Sequence, residues 1–114
     1  MQSIWKKFQS PRNLIIFESA ARLGSFTRAA EELAIQQPSV SAAIRQLEDT
    51  LGTVLFVRAH RNVTLTAAGA RLFAGVSRSL SGLEAAITAT QELGRSLRVT
   101  LSTSSAFSYY WMMP

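Results

Sequence analysis

The sequence predicts a mainly α-helical fold of three short helices, a two-stranded β ribbon and one long helix. Three observations carry this prediction. Apolar residues recur at helical spacing in segments that end at Gly24 and Gly52, and glycine typically stops a helix. The segment from Val54 to Thr66 is instead rich in β-branched residues, which favour strands. Segment 66–93 carries a long three-and-four apolar repeat, which is typical of a helix that packs along its length.

The composition favours one compact domain that binds a negatively charged partner. The 114 residues are 47% apolar, and 12 Lys and Arg outnumber 7 Asp and Glu, which gives a net charge of +5. A positive surface speeds encounter with phosphates and releases their counterions, so a polyanion is the expected partner. The absence of cysteine excludes disulfides and thiolate metal sites, and the single histidine excludes a histidine-rich metal cluster. Because there is no signal peptide and no run of 18 apolar residues, we expect a cytoplasmic protein without a membrane partner.

The first helix is predicted over residues 11–23. Pro11 fits the first helical position, and the preceding Ser10 can accept a hydrogen bond from an unpaired amide. The predicted buried stripe consists of Leu14, Ile16, Phe17, Ala20, Ala21 and Leu23. The ten residues before the helix show no matching pattern, so we expect residues 1–10 to form a mobile or loosely docked arm.

The next two helices are predicted to be joined by a tight polar break. Ser25 can cap a helix that ends near Ala34, and Pro38 can open another that ends at Gly52. Their predicted buried residues are Phe26, Ala29, Ala30 and Leu33, followed by Val40, Ile44, Leu47 and Leu51. Two short amphipathic helices around such a break predict a helix-turn-helix over about residues 26–45, a motif that binds DNA.

The rest of the chain predicts a wing, a linker helix and the start of another domain. Strands in VLFVR and VTLT, separated by AHRN, complete a winged helix-turn-helix over residues 11–65. Thr66 can then cap a linker helix over 66–93, whose repeat predicts a dimer seam. The seam residues are Phe73, Val76, Leu80, Leu83 and Ile87. Alternation at Leu97, Val99 and Leu101 predicts the first strand of an α/β domain that is cut off within residues 94–114.

Several motifs follow one another in a specific order between Asn13 and Gly69. They are GSFTRAA at 24–30, QPSVS at 37–41, LE at 47–48, LG at 51–52, LFVR at 55–58 and LTAAG at 65–69. In this combination the chain resembles the DNA-binding half of the LysR-type transcriptional regulators. One departure is Gln36, where the family commonly has serine, a better helix cap.

This resemblance implies a bacterial regulator with a winged helix-turn-helix, which dimerises through the linker helix and commonly forms a tetramer. It implies no cofactor within the present chain. A small-molecule effector is expected for the full-length protein, bound by a following domain of two α/β lobes.

In a helix-turn-helix the second helix lies in the major groove, so helix 38–51 is the predicted recognition helix. Gln37 is a candidate for adenine, Arg45 for guanine or phosphate, and Ala42 for a thymine methyl group. Residues at the start of the second helix and on the wing are candidates for phosphate contacts. The predicted DNA contacts are Thr27, Arg28, Gln36, Gln37, Pro38, Ser39, Ser41, Ala42, Arg45, Arg58 and Arg61.

Other functions find less support in the sequence. No His/Asp partner set, glycine-rich phosphate loop or metal-ligand spacing accompanies the serines and threonines, so we do not expect an enzyme. Glu31 and Glu32 are adjacent on a helix, as are Glu48 and Asp49, and adjacent residues point in different directions. We expect these carboxylates to be solvated or paired within their helices. The resemblance of the LE pair at 47–48 to that of the LysR-type family implies a structural role for Glu48. The alternative function is a winged-helix and coiled-coil module for protein interaction, without specific DNA binding.

Overall fold

The computed structural model describes residues 11–60 and 62–103 of the chain. The helices are α1 (Arg12–Leu23), α2 (Phe26–Leu33), α3 (Gln37–Leu51) and α4 (Ala67–Thr103), and the strands are β1 (Phe56–Ala59) and β2 (Asn62–Leu65). The predicted mainly α fold with a two-stranded wing is confirmed. The predicted arm at 1–10, the wing residue Arg61 and residues 104–114 lie outside the described residues.

The ends of the short helices follow from local sequence signals. Gly24 and Gly52 both adopt left-handed backbone conformations, with φ of 64° and 69°. Their amides donate to the carbonyl groups of Ala20 and Glu48, which would otherwise lack partners at the helix ends. The predicted stops of α1 and α3 are therefore confirmed.

The core lies where α1, α2 and α3 pack on one another. Its buried residues are Ile16, Phe17, Ala20, Phe26, Ala29, Ala30, Val40, Ala43, Ile44, Leu47, Leu55 and Phe56. Leu14, Ala21, Leu33 and Leu51 pack against this cluster from partly buried positions. Alanines on all three helices bring the backbones close together, because they have no long side chains to keep them apart. The predicted apolar faces are confirmed, and Ala43 is an additional buried residue.

The wing is held to the helices by side-chain and backbone contacts. The strands pair antiparallel with Phe56 opposite Leu65 and Arg58 opposite Val63. The ring of Phe56 lies 5.5 Å from that of Phe17 and 5.3 Å from that of Phe26. The amide of Val63 also donates to the carbonyl of Gly24, at 3.3 Å. The wing therefore packs against α1 and the start of α2.

Glu48 and Thr66 fix the chain on either side of the wing. The Glu48 carboxylate accepts a hydrogen bond from the amide of Leu55 at 2.8 Å, which confirms the predicted structural role of Glu48. Thr66 Oγ1 accepts from the amide of Gly69 at 3.0 Å, and so caps α4 as predicted. The same hydroxyl donates to the carbonyl of Val54 at 2.7 Å. The start of α4 is thereby tied to the segment that enters the wing.

The predicted strand after Gly94 is wrong. Helix α4 runs through Gly94 to Thr103 and contains the alternating residues Leu97, Val99 and Leu101. Leu97 and Val99 are 54% and 61% exposed, so they are not buried as the inward-facing residues of a core strand would be. A strand needs a neighbouring strand for its backbone hydrogen bonds, whereas a helix satisfies its own. The only strands among the described residues are β1 and β2, which pair with each other.

The chain divides into two compact units, residues 1–79 and 80–114. The first contains the winged helix-turn-helix and the beginning of α4, and the described part of the second is the remainder of α4. Within residues 11–60 and 62–103, no helix combines the length and apolarity that crossing a membrane requires.

Gly69→Ala tests the close approach between α4 and the segment before β1. A Cβ atom at Gly69 would lie 2.1 Å from the carbonyl oxygen of Leu55, so the substitution requires a backbone shift. We expect the free energy of unfolding to fall by about 1–3 kcal/mol. Urea denaturation of the purified chain measures this change.

Gly75→Ala is the matched control in the same helix. A Cβ atom there meets nothing within 4 Å, so the helix propensity of alanine should raise the free energy of unfolding by about 0.5–1 kcal/mol. Shifts of the same sign in both variants would contradict the predicted contact.

Candidate nucleic-acid interface

The turn between α2 and α3 sets the start of the predicted recognition helix. Ala34 ends α2 in a left-handed conformation with φ of 55°, and the amide of Ile35 donates to the carbonyl of Ala30 at 3.0 Å. Gln36 is the N-cap of α3, and its side chain makes no capping hydrogen bond. Its carbonyl oxygen accepts from the amide of Ser39 at 2.9 Å. The expected weakness of glutamine as a cap is thus observed, and Pro38 in the first turn favours the helix instead.

The outer surface of α3 carries the predicted base-contacting residues. Val40, Ile44 and Leu47 turn inward and are at most 1% exposed. The exposed residues of the predicted set are Gln36, Gln37, Pro38, Ser39, Ala42 and Arg45, and Ser41 is half-buried. The Gln37 amide nitrogen donates to Ser41 Oγ at 3.2 Å, so these two side chains are already linked in the free chain.

The start of α2 combines a satisfied cap with exposed polar residues. Ser25 Oγ accepts from the amide of Arg28 at 3.1 Å, which confirms that Ser25 caps its own helix. Thr27 and Arg28 follow in the first turn and are exposed. The positive end of the helix dipole adds to the charge of Arg28, so this end of α2 favours an anion.

An ion-pair network on α1 and α2 engages Glu32. Arg22 pairs with Glu18 at 3.0 Å and also with Glu32, while the hydroxyl of the buried Ser19 donates to the Glu32 carboxylate. Hydrogen bonds from Arg22 and then Ser19 lower the pKa of Glu32 below its ordinary value. The pKa of Arg22 is raised, first by Glu32 and then by Glu18. Pairing within one helix was expected for Glu32, but its partners lie on α1.

This network keeps the Glu32 carboxylate on α1 and away from Arg28, a predicted phosphate contact. Glu32 lies four residues after Arg28, a spacing that favours an ion pair within a helix. Because Glu32 instead bonds to α1, it forms no ion pair with Arg28. Across residues 11–60 and 62–103, Arg22 is the only arginine in an ion pair. Arg28, Arg45 and Arg58 are thus exposed basic residues without an ion-pair partner in these ranges.

The wing supplies a further arginine at a defined position. Arg58 on β1 is exposed, and its guanidinium carbon lies 5.0 Å from the centroid of the Phe26 ring. Residues two apart on a strand share a face, so Arg58 follows the buried Phe56 toward α2. The two-residue spacing between Phe56 and Arg58 was the one sequence signal for this contact; it indicates the face on which Arg58 lies but does not identify Phe26 as its partner. His60 is an exposed residue at the wing tip, with φ of 53°.

Within the described part of the chain, no group of three or more His, Cys, Asp or Glu residues is placed to hold a metal ion. Apart from Arg61, which lies outside the described residues, and the half-buried Ser41, the predicted contacts are exposed residues of α2, α3 with its N-cap, and β1.

Comparison with known proteins decides the family. The model of the bacterial regulatory helix-turn-helix proteins of the lysR family matches residues 11–70, which is more than half of the chain. The chain belongs to the LysR family. The family resemblance inferred from the motifs between Asn13 and Gly69 is thereby confirmed.

Two curated relatives are transcriptional regulators. The RuBisCO operon transcriptional regulator of Allochromatium vinosum is 41% identical over 99 residues, covering 83% of this chain and 33% of the relative. The glycine cleavage system transcriptional activator of Escherichia coli is 40% identical over 101 residues, covering 89% and 33%. The chain spans about a third of the length of these curated relatives.

Solved structures of LysR-family DNA-binding domains share the fold. The domain in the CbnR DBD–DNA complex is 31% identical, with a TM-score of 0.63 over 73% of this chain and 95% of that one. The domain in the BenM DBD/catB site 1 DNA complex is 32% identical, with a TM-score of 0.67 over 73% and 92%. These similarities confirm the winged helix-turn-helix. The roles of individual residues in DNA contact and dimerisation stay predictions.

Glu32→Gln is expected to remove a pH-dependent contribution to stability. Because the pKa of Glu32 is lowered in the folded chain, its contribution is fully present above the ordinary carboxyl pKa. It is lost as the pH falls through the lowered value. The difference in unfolding free energy between wild type and variant should therefore be constant near neutrality and shrink below about pH 4.

Urea denaturation between about pH 3 and pH 7 measures this difference. Glu31→Gln is the matched control, since it removes a neighbouring exposed carboxylate outside the network. An equal acid dependence in both variants would contradict a specific role for Glu32.

Proposed function

We propose that this chain binds specific double-stranded DNA as part of a LysR-type transcriptional regulator. The observation that carries the proposal is the outer face of α3, which presents Gln37, Ala42 and Arg45 above a fully buried apolar face. Amide, methyl and guanidinium groups are the chemistry that distinguishes base edges in the major groove. Fold similarity to domains solved in complex with DNA supports the same function.

The surfaces beside α3 would hold the DNA backbone. Thr27 and Arg28 lie at the start of α2, and Arg58 projects from the wing. Phosphate contacts of this kind fix the register of a protein on the duplex, and base contacts then determine the sequence. Gln36, Pro38, Ser39 and Ser41 are proposed as further contacts of the recognition helix, and Arg61 as a contact of the wing.

Helix α4 is the proposed dimer contact. Val76 is 9% exposed and Phe73 packs against the core of its own chain, so both serve the fold of one subunit. Leu83 and Ile87 are 57% and 51% exposed, and with Leu80 they continue the three-and-four repeat. Burial against the same face of a second copy would remove this apolar surface from water.

The proposed full-length regulator has the further assembly and the effector site that its LysR-type relatives imply, since this chain spans about a third of their length. We infer a homodimer that assembles further to a tetramer when full length, with a small-molecule effector bound by a following domain. It would act on promoter DNA in the cytoplasm and would not be an enzyme.

Arg45→Ala and Arg28→Ala should weaken DNA binding in different ways. Loss of a base contact reduces discrimination at one base pair by about 1–3 kcal/mol, so Arg45→Ala should relax the sequence preference there. Loss of a phosphate contact acts alike on all sequences, so Arg28→Ala should weaken every duplex and lower the salt slope by about 1.

Binding-site selection followed by titration at several salt concentrations measures both effects. Arg78→Ala is the matched control, because it removes the same charge from an exposed position on α4. If wild type forms no specific complex that survives competitor DNA, the chain is a protein-interaction module instead. Unchanged affinity and selectivity in Arg45→Ala would show that the recognition face is wrongly assigned.

Leu83→Asp should convert the dimer to a monomer. A carboxylate in an apolar helix seam is strongly unfavourable when two copies meet, so the sedimentation mass should halve at micromolar concentration. Ala85→Asp is the matched control, since it places the same charge on the opposite side of the helix. A dimer that survives Leu83→Asp would place the contact elsewhere.

A further inference from the structure

The guanidinium of Arg58 rests on a ring from another element. Phe26 is the first residue of α2 and is 7% exposed, while Arg58 is an exposed residue of β1. The guanidinium carbon lies 5.0 Å from the ring centroid, within the range of a cation–π interaction. An otherwise free wing side chain is therefore held beside the amino end of α2.

The surrounding contacts keep Phe26 and Arg58 together. Phe56 packs edge-on against Phe26, with ring planes at 84°. Val63, which is opposite Arg58 in the ribbon, donates its amide to Gly24, two residues before Phe26. One buried aromatic contact and one backbone hydrogen bond thus fix the wing next to the ring.

We propose that Phe26 is a positioning residue for DNA binding, which holds the Arg58 guanidinium against the amino end of α2 so that both contact the same stretch of phosphates. This inference rests on the proposed DNA-binding function. It adds a role for a core residue that would touch no DNA itself.

Two physical effects follow from this arrangement. An arginine side chain has many rotamers and loses that freedom when it binds, so a contact that restricts it beforehand reduces the loss on binding. The ring also leaves the charge available, since Arg58 forms no ion pair within residues 11–60 and 62–103. The guanidinium is therefore oriented without being neutralised.

A double-mutant cycle tests the coupling between these side chains. We expect Phe26→Leu to weaken binding by about two- to fivefold on every duplex. Arg58→Met should weaken binding at least as much and lower the salt slope by about 1. In the Arg58→Met background, Phe26→Leu should weaken binding less than it does in the wild-type background, because the side chain that Phe26 positions is gone and only the packing effect remains.

Two further variants separate positioning from packing. Phe17→Leu removes a neighbouring ring of the same aromatic cluster, so its effect on DNA affinity should be the same with and without Arg58. Pentafluorophenylalanine at position 26 nearly preserves the size and shape of the ring but reverses its quadrupole, which acts on both Arg58 and the edge-on ring of Phe56. The part of its loss of affinity that depends on Arg58 should match that of Phe26→Leu. This second variant keeps the test decisive even if Phe26→Leu fails to fold.

The outcomes distinguish the inference from the function on which it rests. If Phe26→Leu and the fluorinated ring weaken binding equally with and without Arg58, Phe26 acts only in packing and the inference fails. If Arg58→Met retains wild-type affinity and salt slope, Arg58 is not a phosphate contact, and the inference fails while the proposed function stands. If the wild-type chain binds no DNA, both fail.

Discussion

Burial of Phe56 between Phe17 and Phe26 is the contact on which the arrangement of wing and helices depends. The three helices share a core of their own, but a two-stranded ribbon is at best marginally stable in water without a surface to pack on. Phe56 is 4% exposed and belongs to the first strand, while its two partners belong to α1 and α2. One side chain thus joins three elements, and the direction of the wing follows from its position.

The local parts of the fold could be predicted from the sequence, and so could the exposed face of α3. Glycine at the helix ends, Ser25 at a cap and apolar spacing of three and four each act over a few residues. The strand predicted over Leu97–Leu101 failed because alternation has meaning only where another strand is available, and a helix needs none. The pairs Arg22–Glu32 and Phe26–Arg58 could not be predicted, because the packing of whole elements brings them together. Sequence spacing would have favoured a pair between Arg28 and Glu32 instead.

The pairing of charged side chains determines where positive charge remains on the surface. The chain has a net charge of only +5, and seven acidic residues could compensate most of its cations. The buried hydroxyl of Ser19 and the guanidinium of Arg22 draw the Glu32 carboxylate toward α1. The first turn of α2 is left with Arg28 and the positive end of the helix dipole. The positive potential at the first turn of α2 thus depends on which charged groups pair and not on how many the chain has.

The turn at Ala34 affects the proposed DNA partner as well as the protein. The left-handed conformation is strained for alanine, whereas glycine adopts it at no steric cost, so the packing around the turn must hold Ala34 in place. Ile35, on the far side of the turn, packs partly into the core, and its amide donates to the carbonyl of Ala30, so the turn restricts how α3 can move relative to α2. A rigid surface cannot adjust to an irregular groove. A duplex bound on the proposed face of α3 would have to supply the bending and groove width itself, so that the stiffness of the DNA would become part of the recognition.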